Sequence, residues 1–229
     1  PEECSHLRYS LLILHILARS HDQTHDNRET TGGWRSASVT LVDLISNPIA
    51  QDPAYHLFAD QRTLLGIPNF WNVMSNLPFL LVGAAGISFV HRNSRDPLRN
   101  LWLVFFAGIF VTAFGSGYFH LAPNNSTLAW DRLTMTIGFM SFVAIVIGEY
   151  LSITLGRRLL RPLLIIGALS VVYWLRTESL GAGDLRPYAL VQFLPMVLIP
   201  IIAITRRSRS DLGPYIAWMI IFYAAAKLA

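Results

Sequence analysis

Two side chains suited to hydrolytic chemistry share one face of an apolar stretch, and a carboxylate follows shortly after. Ser116 and His120 are spaced i and i+4, which places both on the same face of a helix. A neutral imidazole is the commonest metal ligand in proteins, and a nearby carboxylate such as Asp131 orients it or moves protons. The spacing indicates an enclosed polar site, with helix capping, close helix packing and interfacial placement as the plain alternative.

A second polar face lies at the start of the first apolar stretch. Asn72, Ser75 and Asn76 are spaced i, i+3 and i+4 and therefore also share a helix face. A polar group inside a membrane costs free energy unless it finds a partner. We expect these three residues to support the site or its substrate, or else to make ordinary hydrogen bonds between helices.

The composition excludes an ordinary soluble domain. Of the 229 residues, 53% are hydrophobic and 14% are charged, whereas a soluble domain carries about 25% charged residues. An apolar solvent explains this deficit, because charges are costly to hold in hydrocarbon. The net charge of +4 does not indicate nucleic-acid binding, since most arginines fall in short loops between apolar runs. Cys4 is the one cysteine, so no intramolecular disulfide and no cysteine metal site can form.

The apolar runs predict an all-α, polytopic transmembrane bundle. A spanning helix needs about 20 mostly apolar residues, and the sixth predicted helix is shorter, at about 16 residues. The chain starts at Pro1 rather than Met and stops inside an apolar run, so we expect it to be a fragment of a longer protein. The six predicted helices cover residues 70–91, 101–121, 132–151, 159–175, 187–205 and 214–229.

The connecting loops alternate in charge. Their net charges run +2, 0, +3, 0 and +2 along the chain. By the positive-inside rule, the three basic loops are cytoplasmic and the N-terminus lies outside. This topology brings the start of the first helix, the end of the second with Ser116 and His120, and Asp131 at the start of the third to one membrane face.

The N-terminal part has a different character. We expect residues 1–54 to be poorly ordered or short-helical, and residues 55–229 to form the bundle. The apolar run Leu11–Leu17 is too short to span a membrane and is interpreted as a signal remnant, an anchor or a surface helix. His21 and His25 are spaced like a pair of zinc ligands, but they lie in a polar tract that we expect to be solvated.

The same residues carry a resemblance to a known family. The chain resembles bacterial ceramidase-family membrane proteins over about residues 48–229. That family belongs with the alkaline ceramidases and, more distantly, the adiponectin-receptor-like proteins. The resemblance rests on Tyr55–Arg62, Gly66–Asn76, Gly115–Pro123 and Trp130–Leu133.

The resemblance implies a seven-helix bundle, of which six helices are visible here, with a buried zinc held by three histidines. His120 matches the first zinc ligand, Ser116 the site serine, and Asp131 the acid that activates the zinc-bound water. The family's other two ligands form a His-x3-His on the seventh helix, and no histidine follows His120 in this sequence. Some relatives also hold calcium before the first helix, where this chain offers Asp60 and Asn69.

The implied function is zinc-dependent hydrolysis of the amide bond of a ceramide-like lipid. The partners implied are a membrane lipid substrate and the bilayer, with no nucleic acid and no obligate protein partner. The bacterial style of the motifs favours an inner membrane with the site near the periplasmic face. The alternatives are a catalytically inactive lipid-binding or receptor-like bundle and, less favoured, a small transporter, since no charge is predicted at the membrane centre.

Overall fold

The fold is a bundle of consecutive antiparallel helices. The computed structural model describes residues 47–92, 95–210 and 212–228. Within these residues there is no strand, so the all-α prediction is confirmed. A short 3-10 turn at Pro53–His56 precedes the bundle. The helices are α1 (Phe70–Met74), α2 (Leu77–Arg92), α3 (Arg99–Leu121), α4 (Asn125–Tyr150), α5 (Ile153–Ser179), α6 (Arg186–Thr205) and α7 (Gly213–Leu228).

Five described helical stretches are long and apolar enough to cross a membrane, counting α1 and α2 as one. The chain is therefore a multi-pass membrane protein. Helix α4 is the most buried of the five and packs against α3, α5 and α6. Helix α7 has 16 residues, and its described contacts include Ile216 in the core beside Phe142 and Tyr150.

The predicted start of the third helix was wrong by about two turns. Helix α4 begins at Asn125, not at residue 132. The Asn124 side chain accepts hydrogen bonds from the backbone N–H groups of Ser126 and Thr127, and the Thr127 hydroxyl accepts from the Asn124 N–H. This capping box starts a helix from polar residues, which a search for apolar runs assigns to a loop. Asp131 consequently lies inside α4 and not at its first residue.

Two other predicted boundaries also differ. The first span is interrupted at Ser75 and Asn76, between α1 and α2. The fourth helix begins at Ile153 rather than at residue 159, because the Ser152 hydroxyl accepts from the Leu155 N–H and caps it. The arginines that were assigned to a loop before residue 159 therefore belong to the first turns of α5.

The N-terminal segment is described only from residue 47. Ile49 accepts a hydrogen bond from Leu185 N–H, and Gln51 N–H donates to the Glu178 carboxylate, so this stretch lies against the ends of α5 and α6. The remainder of residues 1–54, with the Leu11–Leu17 run and the His21 and His25 pair, lies outside the described residues.

The α5–α6 turn is stabilised by an ion pair whose pH dependence can be measured. The Asp184 carboxylate, which is 3% exposed, accepts from the Arg186 guanidinium at 2.8 Å through both oxygens. These bonds lower the pKa of Asp184 to about 2. A depressed carboxyl pKa contributes stability above its unfolded value of about 3.9, which is lost as the pH falls toward 2.

We expect Asp184→Asn to lower the thermal unfolding midpoint at pH 7. The difference from the unmodified protein should shrink as the pH falls from 5 toward 2, because the unfolded carboxyl group takes up its proton near pH 4 and the folded one only near pH 2. Unfolding midpoints measured across that range check this. A difference that stays constant with pH would contradict the role of the ion pair.

Candidate functional site

Ser116 and Asp131 lie close together where α3 ends and α4 begins, which we call the site end, and His120 is one turn further along α3. Ser116 and Asp131 are 8% and 7% exposed, and their side chains interact across the contact between the two helices. Gly115 permits this approach of α3 to α4, because a Cβ there would lie 2.5 Å from the Thr134 Oγ1 atom. The three residues that the sequence singled out are thus on two helices in direct contact.

Two buried polar atoms of these residues have no hydrogen-bond partner among the described residues. They are the Nδ1 atom of His120 and the Oδ1 atom of Asp131. Buried polar atoms in native proteins are nearly always bonded, since leaving one unpaired costs about 1–3 kcal/mol. A ligand, a water molecule or an ion at this helix junction would satisfy them.

Aromatic rings enclose the imidazole. The Phe58 ring lies 4.7 Å from the His120 ring, and Phe119 packs against Phe58 at 5.5 Å between centroids. Phe119 is buried and also stacks on Tyr55 at 5.9 Å. This apolar wall separates His120 from bulk water on the side of the segment that precedes α1.

A second histidine, which sequence reasoning did not single out, lies beside the same aromatic cluster. The ring of His56 is 5.7 Å from that of Phe119, and its Nε2 atom is 2.9 Å from the Asn125 Oδ1 atom. Its Nδ1 atom is buried without a partner among the described residues. No spacing relates His56 to His120, so only tertiary structure reveals that they share Phe119 as a neighbour.

Arg132 is a buried cation next to the site carboxylate. Its guanidinium lies 4.1 Å from the centre of the Trp174 ring and 4.8 Å from that of Tyr188, and it donates to the Gln51 side-chain oxygen at 2.6 Å. Cation–π contacts of this kind stabilise a desolvated guanidinium by about 2 kcal/mol. Arg132 lies within α4, which gives it a fixed position beside Asp131.

The polar residues around α1 divide into two groups. Asn69 donates its side-chain amide to the His120 backbone carbonyl at 2.8 Å, and Asn72 donates to the Asp60 carbonyl at 2.8 Å. Ser75 and Asn76 instead bond to the Asn72 carbonyl. Asn69 therefore ties the start of α1 to the site end, and Asn72 ties α1 to the loop before it. No described contact brings Asn72, Ser75 or Asn76 to His120.

Asp60 is neutralised by its own neighbour. Its carboxylate accepts from the Arg62 guanidinium at 2.7 and 3.1 Å and from the Arg62 N–H at 3.1 Å. The side-chain hydrogen bond from Arg62 lowers the pKa of Asp60. Asn69 directs its amide to the His120 carbonyl, so both side chains of the expected pair already have protein partners, and calcium binding at Asp60 and Asn69 stays a prediction.

The fit to zinc is partial. His120, with its unpartnered Nδ1 atom, suits one ligand position. A zinc site needs about three protein ligands, and the described residues contain no group of three or more histidine, cysteine, aspartate or glutamate side chains that could hold a metal. The described residues therefore do not complete a zinc site.

The contact from Asn69 leads to a testable prediction. The His120 carbonyl is in the last turn of α3, where carbonyls lack helical partners, so Asn69 acts as a positioning residue for that turn. Asn69→Asp keeps the size and tolerates the left-handed backbone at φ 49°, but it removes the donor. We expect amide exchange at residues 118–122 to accelerate about fivefold, the equivalent of one hydrogen bond of about 1 kcal/mol.

Hydrogen–deuterium exchange with mass spectrometry measures this effect. The matched control is Asn72→Asp, three residues later, whose amide bonds the Asp60 carbonyl and not His120. Equal acceleration in both variants, or none in Asn69→Asp, would show that Asn69 does not hold the His120 turn.

The architecture defines a multi-pass helical membrane protein in which Ser116 and Asp131 lie together at the end of two spanning helices, with His120 one turn away on α3. A family model described as Ceramidase matches residues 64–227. The chain belongs to the ceramidase family, which confirms the resemblance and supports a ceramide-hydrolysing function in general. The more distant relation to adiponectin-receptor-like proteins stays a prediction. Neither the search of curated proteins nor the search of solved structures found a match.

Proposed function

We propose that the protein is a zinc-dependent intramembrane amidase that converts ceramide-like lipids to a sphingoid base and a fatty acid. One observation carries the proposal: His120 and Asp131 hold unpartnered buried polar atoms at the same helix junction of a ceramidase-family bundle. His120 is proposed as one zinc ligand. The other ligands that zinc requires are not among the described residues.

The roles of the two other residues follow from their chemistry. In the reaction a water oxygen forms a bond to the amide carbonyl carbon, the carbon–nitrogen bond breaks, and one water proton moves to the departing amine. Asp131 is proposed to take that proton and deliver it, because a carboxylate next to the reacting atoms is a competent base and acid. The Ser116 hydroxyl is proposed to donate to the developing oxyanion.

The proposed topology suits a lipid substrate. The site end lies at the ends of spanning helices, so a lipid can approach from the bilayer with its amide near Asp131 and its chains among the helices. We place the opposite, arginine-rich end in the cytoplasm by the positive-inside rule, which puts the site at the periplasmic face if the host is bacterial.

The direct test uses the full-length protein in nanodiscs and a ceramide with a labelled acyl chain. Release of the labelled fatty acid, together with stoichiometric zinc, supports the proposal. Zinc binding without turnover would contradict the amidase and favour the inactive lipid-binding or receptor-like bundle. Turnover that survives complete removal of zinc would overturn the zinc dependence alone.

Gly117 offers a prediction about where the substrate lies. This glycine follows Ser116 in sequence and is buried, yet a Cβ added there meets no atom within 4 Å. If a lipid chain fills that space, Gly117→Leu blocks it. We expect kcat/KM for ceramide to fall about 10–100-fold, as for a substrate displaced by about 1 Å, with little change in the unfolding midpoint.

Gly138→Leu in α4 is the matched control, because its Cβ position is equally open and no described contact links it to His120. Steady-state kinetics of both variants decide the matter. Unchanged kcat/KM in Gly117→Leu would exclude this space as part of the substrate path.

A further inference from the structure

The end of the bundle opposite the site carries a concentration of arginines, which we call the arginine end. It comprises the end of α2, the α2–α3 connection with the start of α3, the first turns of α5, and the α6–α7 connection. Lysine is absent from these segments. The nine arginines are Arg92, Arg95, Arg99, Arg157, Arg158, Arg161, Arg206, Arg207 and Arg209.

Contacts between the connections bring these arginines onto one surface. The Arg157 guanidinium donates to the Pro97 carbonyl, at 2.9 Å from its Nε atom, and thereby joins α5 to the α2–α3 connection. At the end of α4, the Glu149 carboxylate accepts from the Ser208 hydroxyl at 2.8 Å and from the Ser210 hydroxyl at 2.8 Å. These long-range bonds hold the α6–α7 connection beside the end of α4.

Most of these arginine side chains have no partner among the described residues. Arg99 contacts His91, and Arg157 is bonded as described. The side chains of the other seven make no hydrogen bond or ion pair within the described residues, and all seven residues are exposed. Two nearby acids are already engaged, since Glu149 binds serines and the Asp96 side chain accepts from the Leu98 N–H. The positive charge of this surface is therefore available to an external anion.

Apolar side chains flank the free guanidinium groups. Ile204 is 85% exposed two residues before Arg206, and Leu155 is exposed in the same turn as Arg157 and Arg158. A surface that binds an acidic soluble protein does not require exposed aliphatic side chains beside its arginines. Guanidinium groups next to exposed aliphatic side chains match the boundary between lipid headgroups and acyl chains.

We propose that the arginine end binds the phosphate groups of anionic membrane phospholipids. The planar guanidinium fork matches phosphate oxygens in a bidentate manner, which a lysine ammonium does not. Basic residues next to spanning helices attract anionic headgroups, and the attraction falls within a Debye length. The arginine end then fixes the depth of the bundle in an anionic leaflet, independently of the reaction proposed at the site end.

The test compares lipid retention by the full-length protein. The protein is equilibrated in micelles that contain equal phosphatidylglycerol and phosphatidylcholine, and retained lipids are counted by native mass spectrometry. We expect the protein to retain more phosphatidylglycerol than phosphatidylcholine at about 0.05 M salt. This preference should fall at about 0.5 M salt. Arg158→Gln, Arg161→Gln, Arg206→Gln and Arg207→Gln together should weaken it about tenfold or more.

Arg176→Gln is the matched control, because Arg176 is exposed at the site end of the same helix α5. It should retain the preference. If the fourfold variant does not fold, the double variant Arg206→Gln with Arg207→Gln replaces it, because it changes only residues outside the helices. The salt series on the unmodified protein tests the proposal without any substitution. Equal retention of both lipids, an equal loss in Arg176→Gln, or charge-dependent capture of an acidic protein without lipid preference would overturn the proposal.

Discussion

Asp131→Asn is expected to slow the release of fatty acid from a ceramide about 10²–10⁴-fold, the range for removing a general acid–base group. Asparagine keeps the size and polarity of the side chain next to Ser116, but it cannot take a proton. The unpartnered Oδ1 atom of Asp131 is the atom whose chemistry changes. The measurement is kcat for the full-length protein in nanodiscs, with the unfolding midpoint as a check on folding.

Asp96→Asn is the control for this prediction. Asp96 is an exposed carboxylate at the arginine end, and its Oδ1 atom accepts from the Leu98 N–H at 2.7 Å, which an asparagine also does. Its kcat should stay within about twofold, since surface substitutions rarely exceed ±0.5 kcal/mol. An Asp131→Asn protein that is folded and keeps full activity would exclude Asp131 as the proton carrier.

Gly156→Ala is expected to give the largest loss of stability among the single-methyl changes considered. A Cβ on Gly156 would lie 2.5 Å from the Ala144 carbonyl oxygen and 2.7 Å from the Gly148 Cα and N atoms. All three are backbone atoms of α4, so no side-chain rotation relieves the overlap and α5 must move away. Membrane helices pack through such close backbone contacts, and overpacking of this kind costs about 1–3 kcal/mol.

Thermal unfolding in detergent measures this loss, at about 2–4 °C for each kcal/mol. Gly138→Ala is the control, because the Cβ of Gly138 meets no atom within 4 Å and alanine has the higher helix propensity. Its midpoint should be equal to or above that of the unmodified protein. Equal midpoints for Gly156→Ala and Gly138→Ala would show that the α4–α5 contact is looser than described.

The sequence by itself determined the class of protein and most of the membrane-spanning elements. Apolar runs of spanning length with few charges predict membrane-spanning helices, because the backbone polar groups of such a run in lipid must be hydrogen-bonded within the helix. The spacing of Ser116 and His120 placed both on one face of α3 for the same local reason, and the family motif added Asp131. These properties depend on residues that are close in sequence, so they can be predicted from the sequence alone.

The beginnings of the helices were less accessible. Apolar periodicity placed Asp131 at a helix start, whereas the bonds of Asn124 start α4 at Asn125 and Ser152 starts α5 at Ile153. A capping side chain is polar and resembles a loop residue when hydropathy is averaged over a window. The consequence is functional, because the earlier start of α4 places Arg132 within the helix, against Trp174, instead of in a solvated loop.

Only the tertiary structure decided which polar groups are free and which are already bonded. Asp60 and Asn69 suggested a cation site by residue type, yet Arg62 binds the Asp60 carboxylate and Asn69 bonds the His120 carbonyl. His56 attracted no attention in sequence and lies beside Phe119. Hydrogen bonds and ring contacts between distant segments depend on the full packing of the chain, which no local pattern records.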